Sequence, residues 1–192
     1  MARKYEFKPD KTDPGLLHQL YLTKKQRLST LKWGLYALAL LALSVLQDVV
    51  LSRYRIYGAT TELVPCAIFL ISILQGLERG CVFALVASLM YLFSGTAAGP
   101  YSIVFITFLA VGATYLRQNY LQKGFFAALL CAGGAMVLYE LGIFCIGAFL
   151  QLTRPDRLVG FALTAGLTII SVPILYPIFL AIGKIGGETW KE

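Results

Sequence analysis

Few residues of this chain have the type and spacing to do chemistry, and the sharpest of them is Glu140. It stands in MVLYELGIF, Met136 to Phe144, with no other charge in the stretch. In hydrocarbon surroundings a bare carboxylate is costly, so this one must be protonated or hydrogen-bonded. Such an acid has two uses. It can hold a proton or a substrate in a transporter, or it can fix a helix contact or a docked partner through polar bonds. The absence of a second charge nearby in sequence favours the packing contact. A second group comprises Asp48, Arg53, Arg55 and Glu62. Its acids flank a short loop that holds the arginines. That order reads as an interfacial salt-bridge cluster, or as the rim of an outward-facing ligand pocket.

The remaining chemical inventory is sparse. The single histidine, His18, lies in a polar arm and reads as a solvated residue. Cys66, Cys81, Cys131 and Cys145 all fall in apolar segments without metal-site spacing, so they read as small core residues. No HExxH, GxSxG, phosphate-binding loop or CxxC motif is present. Serines and threonines in apolar segments bond back to their own helix more readily than they act as nucleophiles. The expectation is therefore a protein with no catalytic set, no metal and no cofactor, and not an enzyme.

The elements that position these residues follow from composition. Of 192 residues, 58% are hydrophobic and 14% are charged, with a mean hydropathy of +0.71. A soluble domain averages about 25% charged residues, so too little polar surface exists to cover one. Uncharged runs such as Leu63–Leu77 and Gly124–Tyr139 indicate a polytopic membrane protein. Residues 1–32 form a basic arm, in which Asp13-Pro14 and Leu16, Leu17 and Leu20 suit a short interfacial helix. Residues 33–183 then read as a domain of six transmembrane helices, and 184–192 as a tail. The expected spans are about 33–51, 62–75, 81–93, 101–116, 125–152 and 158–182. GLERG, Gly76 to Gly80, is expected to turn a helical hairpin, keeping Glu78 and Arg79 out of the bilayer centre. Pro173 and Pro177 are expected to kink the last span. Trp33 and Tyr36 suit one headgroup level, and Tyr54 and Tyr57 the other.

The formal charge of +7 is unevenly spread. With the N-terminus inside, the inner regions hold Arg3, Lys4, Lys8, Lys11, Lys24, Lys25, Arg27, Lys32, Arg79, Arg117, Lys123, Lys184 and Lys191. The outer ones hold Arg53, Arg55, Arg154 and Arg157. This bias places both termini in the cytoplasm and explains the basic arm without nucleic acid. Small residues recur at packing spacing. Ala84, Ala87, Ser88, Gly95 and Gly99 do so through the third segment and its turn, and Ala128, Cys131, Ala132 and Ala135 do so in the fifth.

The order of these features resembles the MreD family, the integral membrane component of the bacterial rod-shape and wall-elongation machinery. The likeness covers about residues 33–183. Leu46-Gln47 matches the end of that family's first span, and Arg79-Gly80 its short second loop. Tyr91-Leu92-Phe93-Ser94-Gly95-Thr96-Ala97-Ala98-Gly99 matches its small-residue motif, with Tyr91 where the family usually has Asp and Thr61-Glu62 where it has Pro-Asp. Glu140 matches a central acid of the fifth span. The resemblance implies a non-enzymatic scaffold in the bacterial cytoplasmic membrane. Its implied partners are MreC, RodA with its class B penicillin-binding protein, and MreB filaments. Glu140, Gly95, Gly99, Ser94 and Tyr91 would serve helix packing or partner contact. The architecture is also similar to the S-components of energy-coupling-factor vitamin transporters. Their first span typically has an Ala-x-x-x-Ala pattern, whereas Ala37, Ala39 and Ala42 are followed four positions on by Leu41, Leu43 and Leu46. That likeness therefore ranks second.

Overall fold

The computed structural model describes residues 24–53, 59–121 and 124–185. Among them six α-helices follow one another: α1 Lys24–Val49, α2 Leu63–Gln75, α3 Leu77–Phe93, α4 Tyr101–Tyr120, α5 Phe125–Phe149 and α6 Leu158–Gly183. Short 3₁₀ turns lie at Leu51–Arg53 and Pro155–Arg157. The expected arm helix, His18, Tyr54, Arg55, Tyr57 and most of the tail lie outside the described residues. Three of the helices, α1, α5 and α6, are long and apolar enough to cross a membrane.

The distribution of side chains is that of a body solvated by apolar surroundings. Leu38, Leu41, Phe93, Phe108, Phe126 and Ile170 point outward and are well exposed, while Ala84, Ala110, Ala128 and Ala132 are fully buried. A water-soluble monomer rarely exposes so continuous an apolar surface. Here large residues face out and small ones let the helices approach.

At about 1.5 Å per residue α2 reaches only about 20 Å, less than the roughly 30 Å of a hydrocarbon core. It nevertheless occupies the centre, packing on all five other helices. Every residue from Leu63 to Ile73 is buried. A buried helix end needs partners for its unpaired backbone groups, and side chains from the surrounding helices supply them. At the N-terminal end, Glu62 N–H donates to Thr168 Oγ1 of α6 at 3.0 Å. Val64 N–H donates to Gln47 Oε1 of α1 at 3.1 Å. Pro65 sits in the first turn, where a missing N–H costs least. At the C-terminal end, Arg117 of α4 donates to the Ile73 carbonyl at 2.6 Å.

Around Gln75, Lys32 Nζ donates to Gln75 Oε1 at 2.9 Å, Gln75 Nε2 donates to Tyr36 OH at 2.7 Å, and Tyr36 OH donates to the Phe179 carbonyl at 3.2 Å. This relay brings the start of α1 and the end of α6 to the same end of the bundle. It also corrects one sequence expectation. Lys24 to Lys32, expected in the polar arm, belong to α1, and Lys32 is buried beside the fully buried Tyr36.

The helical hairpin forms as expected, with a sharper turn. Gly76 alone separates α2 from α3, with φ of +84°, and Glu78 and Arg79 are exposed on the first turn of α3. The helices are in close contact at Gly80, where Ser72 Oγ donates to the Gly80 carbonyl at 2.9 Å. A Cβ added to Gly80 would lie 2.6 Å from the Ser72 carbonyl oxygen. The last helix runs unbroken from Leu158 to Gly183 with Pro173 and Pro177 inside it.

Because the obstacle at Gly80 is backbone, it cannot swing away. Gly80→Ala is expected to cost about 1–3 kcal/mol, the usual penalty of overpacking. Gly34→Ala, in open space on α1, should be neutral or stabilising by up to about 1 kcal/mol. Unfolding midpoints in detergent check both. A Gly80→Ala protein as stable as wild type would mean that α2 and α3 do not approach this closely.

Candidate functional site

Two concave features flank α2. The first is a cavity of about 810 Å³ that opens where α2 begins. Thr60 and Glu62 line it from the segment leading into α2, Glu140 from α5, Asp156 and Arg157 from the turn before α6, and Val159, Phe161 and Thr164 from α6. Glu140 reaches it because α5 buries one face, Ala132, Met136, Tyr139, Glu140, Ile143 and Gly147, at helical spacing. Glu62 reaches it as the residue preceding α2. Glu140 is only 4% exposed. Its Oε1 and the Oε2 of Glu62 are both buried without a hydrogen-bond partner. The two carboxyls are near enough to act on each other electrostatically, and both act on the phenols of Tyr91 and Tyr139. Those hydroxyls are likewise buried without a hydrogen-bond partner. An acid-lined recess with unmet acceptors can receive a donor-rich, positively charged group.

The second feature is an apolar groove of about 480 Å³ between α1 and α3. The rings of Trp33 and Phe83 close one end, 5.5 Å apart. Ala37, Leu41, Val45, Val86 and Met90 form the walls, Val64 and Tyr91 lie along it, and Asp48 and Ser94 mark the other end.

The structure thus separates residues that sequence order had grouped. Glu62 joins Glu140, distant in sequence, whereas Asp48 faces the groove on another side of α2. Asp48 also holds the turn after α1, since its carbonyl accepts a hydrogen bond from Ser52 Oγ. Arg53 is exposed on that turn, and Arg55 is outside the described residues. Glu140 has a neighbouring acid, which its own stretch of sequence did not reveal. Among the described residues no group of three or more His, Cys, Asp or Glu side chains is arranged to hold a metal ion. Cys66 and Cys131 are buried as expected, but Cys145 is exposed on α5.

The motif around Gly95 is a turn held by its own side chains. Ser94 Oγ donates to the Tyr91 carbonyl at 2.7 Å and pairs with Thr96 Oγ1 at 2.8 Å. Ser102 Oγ donates to the Gly99 carbonyl at 2.6 Å. Gly95 has φ of +79°, and a Cβ there would meet nothing within 4 Å. Its value is therefore backbone conformation, not close helix approach. At Gly99 an added Cβ would lie 2.7 Å from the ring of Tyr101. Tyr91 is buried at the foot of α3, with Gln47 and Thr96 as polar neighbours.

Sequence reasoning missed Gln47, Gln75 and Thr168 as helix-end partners, although an amide or hydroxyl in an apolar span is itself a signal that a polar partner awaits it. It also missed Tyr139, whose neighbour in the chain is Glu140.

No family model, curated protein or solved structure matches this chain.

The left-handed conformation at Gly95 costs an ordinary L-residue about 1–2 kcal/mol, and Asn tolerates it better. Gly95→Ala should lower the detergent unfolding midpoint, with Gly95→Asn between Ala and wild type. Equal midpoints for all three would remove the backbone argument for this turn.

Proposed function

We propose that this chain is a non-enzymatic scaffold of the bacterial cytoplasmic membrane that docks a single transmembrane helix of a partner protein. By its resemblance to the MreD family, that partner is MreC, and the assembly helps couple MreB filaments to RodA and its class B penicillin-binding protein. In this reading all six helices lie in the bilayer with both termini in the cytoplasm, and α2 and α3 are the short members of the bundle.

The observation that supports docking is the groove between α1 and α3. From Trp33 to Asp48 it follows about four turns of helix, or roughly 22 Å at 1.5 Å per residue. That length covers most of the roughly 30 Å that a membrane-crossing helix traverses. Its walls combine small Ala37 with half-exposed Val86 and exposed Leu41, the mixture that lets helices pack in lipid where no hydrophobic force drives them together. The α1 helix packs on α2 and α6, and toward α3 its described ring contacts lie at the Trp33 end, with Phe83.

A second reading, a solute-binding S-component of an energy-coupling-factor transporter, draws on the cavity lined by Glu62 and Glu140. Its volume falls in the range of about 300–1,000 Å³ usual for small-molecule pockets.

Copurification with the MreC candidate tests the first reading. Val86→Trp fills the groove from an exposed position. It should cut partner retention at least about tenfold, an effect of about 1.4 kcal/mol, while leaving the unfolding midpoint near wild type. In the same assay Glu140→Gln should retain the partner. Normal retention by Val86→Trp would remove the groove as the docking site. Loss of solute uptake with an intact partner complex in Glu140→Gln would favour the transporter.

A further inference from the structure

We infer that the cavity bounded by Glu62 and Glu140 is a binding site for a primary ammonium group with a short hydrocarbon stem. Its lining holds three acids, Glu62, Glu140 and Asp156, and one basic residue, Arg157. An excess of acid by itself is no site. The second observation is that Glu140 is 96% buried, from its 4% exposure, lines the cavity, and leaves Oε1 with no hydrogen-bond partner. The Oε2 of Glu62 is in the same condition. Leaving a buried acceptor unpaired is costly, and more so for a charged one. A group that donates in several directions suits such acceptors.

The chemical class follows from what surrounds those oxygens. A bare metal ion wants three or more protein ligands, and no such group exists among the described residues. An ammonium brings three N–H donors of its own, and its charge would favour the ionised form of the carboxyls it bonds. The lining also holds apolar Val159, Phe161 and Leu163. Phe161 is held edge-on by Phe144, ring centroids 5.5 Å apart. A hydrocarbon stem can lie on these side chains while a cation favours the ring face. Thr60 and Thr164 complete the lining with hydroxyls. The site stands independently of the scaffold reading, because it shares no wall with the groove between α1 and α3.

The ammonium has two natural sources, a soluble amine or the headgroup of phosphatidylethanolamine. The probe is n-propylammonium chloride, and the full chain in detergent free of that lipid is the target. n-Propanol and sodium chloride at equal concentration are controls. The unfolding midpoint of wild type should rise with n-propylammonium and with neither control. Glu140→Gln and Glu62→Gln keep side-chain shape, so each should fold and bind at least about tenfold more weakly, as expected for loss of one charge-assisted hydrogen bond. If one of the two fails to fold, the other decides. In nanodiscs of phosphatidylglycerol, adding phosphatidylethanolamine should compete with the probe if the lipid is the source. Unchanged probe binding there assigns the site to a soluble amine. No midpoint shift with the probe, an equal shift with n-propanol, or wild-type affinity in both variants overturns the site.

Discussion

A helix that ends inside a protein must find partners there for the backbone groups that water would otherwise satisfy. In this chain that constraint falls on α2, buried from Leu63 to Ile73 and shorter than a bilayer is thick. The surrounding helices are arranged to meet it. Gln47 from α1 and Thr168 from α6 accept from the amides of Val64 and of Glu62 just before α2, and Arg117 from α4 donates to the Ile73 carbonyl. The relay through Lys32, Gln75, Tyr36 and Phe179 ties the same end to α1 and α6. These bonds fix the helices' axial register, which apolar packing in lipid leaves loosely specified. Gly80 then sets how near α3 can come, because only a residue without Cβ fits over the Ser72 carbonyl.

The two concave features lie on different sides of α2. Where α2 begins, α5 and α6 contribute to the cavity of Glu62 and Glu140. Along its flank, α1 is seated against α2 and α6, and the side it turns toward α3 remains a groove. The first feature has three acids and one arginine in its lining, and the second is lined mainly by apolar side chains. They therefore suit different ligands, an ammonium and a helix, and one chain can offer both.

The sequence made the helices legible, since charge and glycine punctuate them. GLERG marked the hairpin, and the small residues Ala84, Ala87, Ala128 and Ala132 marked faces that are indeed buried. What it concealed was radial position. A short apolar segment looks the same at the centre of a bundle as at its edge, so α2 gave no sign that five helices would surround it. The burial of Tyr36 was concealed for the same reason: an aromatic near a span's end can face lipid or neighbouring helices equally well. The pairing of Glu62 with Glu140 depends on which helices become neighbours, and nothing in the local pattern of either stretch encodes that.

Hydrogen–deuterium exchange, followed by mass spectrometry on the whole chain in nanodiscs, tests the central role of α2 most directly. Protection reports how rarely a segment opens to solvent. If α2 is the capped centre of the bundle, the Leu63–Gln75 amides should exchange at least as slowly as those of α5 and α6, although α2 is the shortest helix. Gln47→Leu should then speed exchange at the start of α2 before any other helix. Faster exchange in α2 than in α5 and α6 of the wild-type chain would contradict the account.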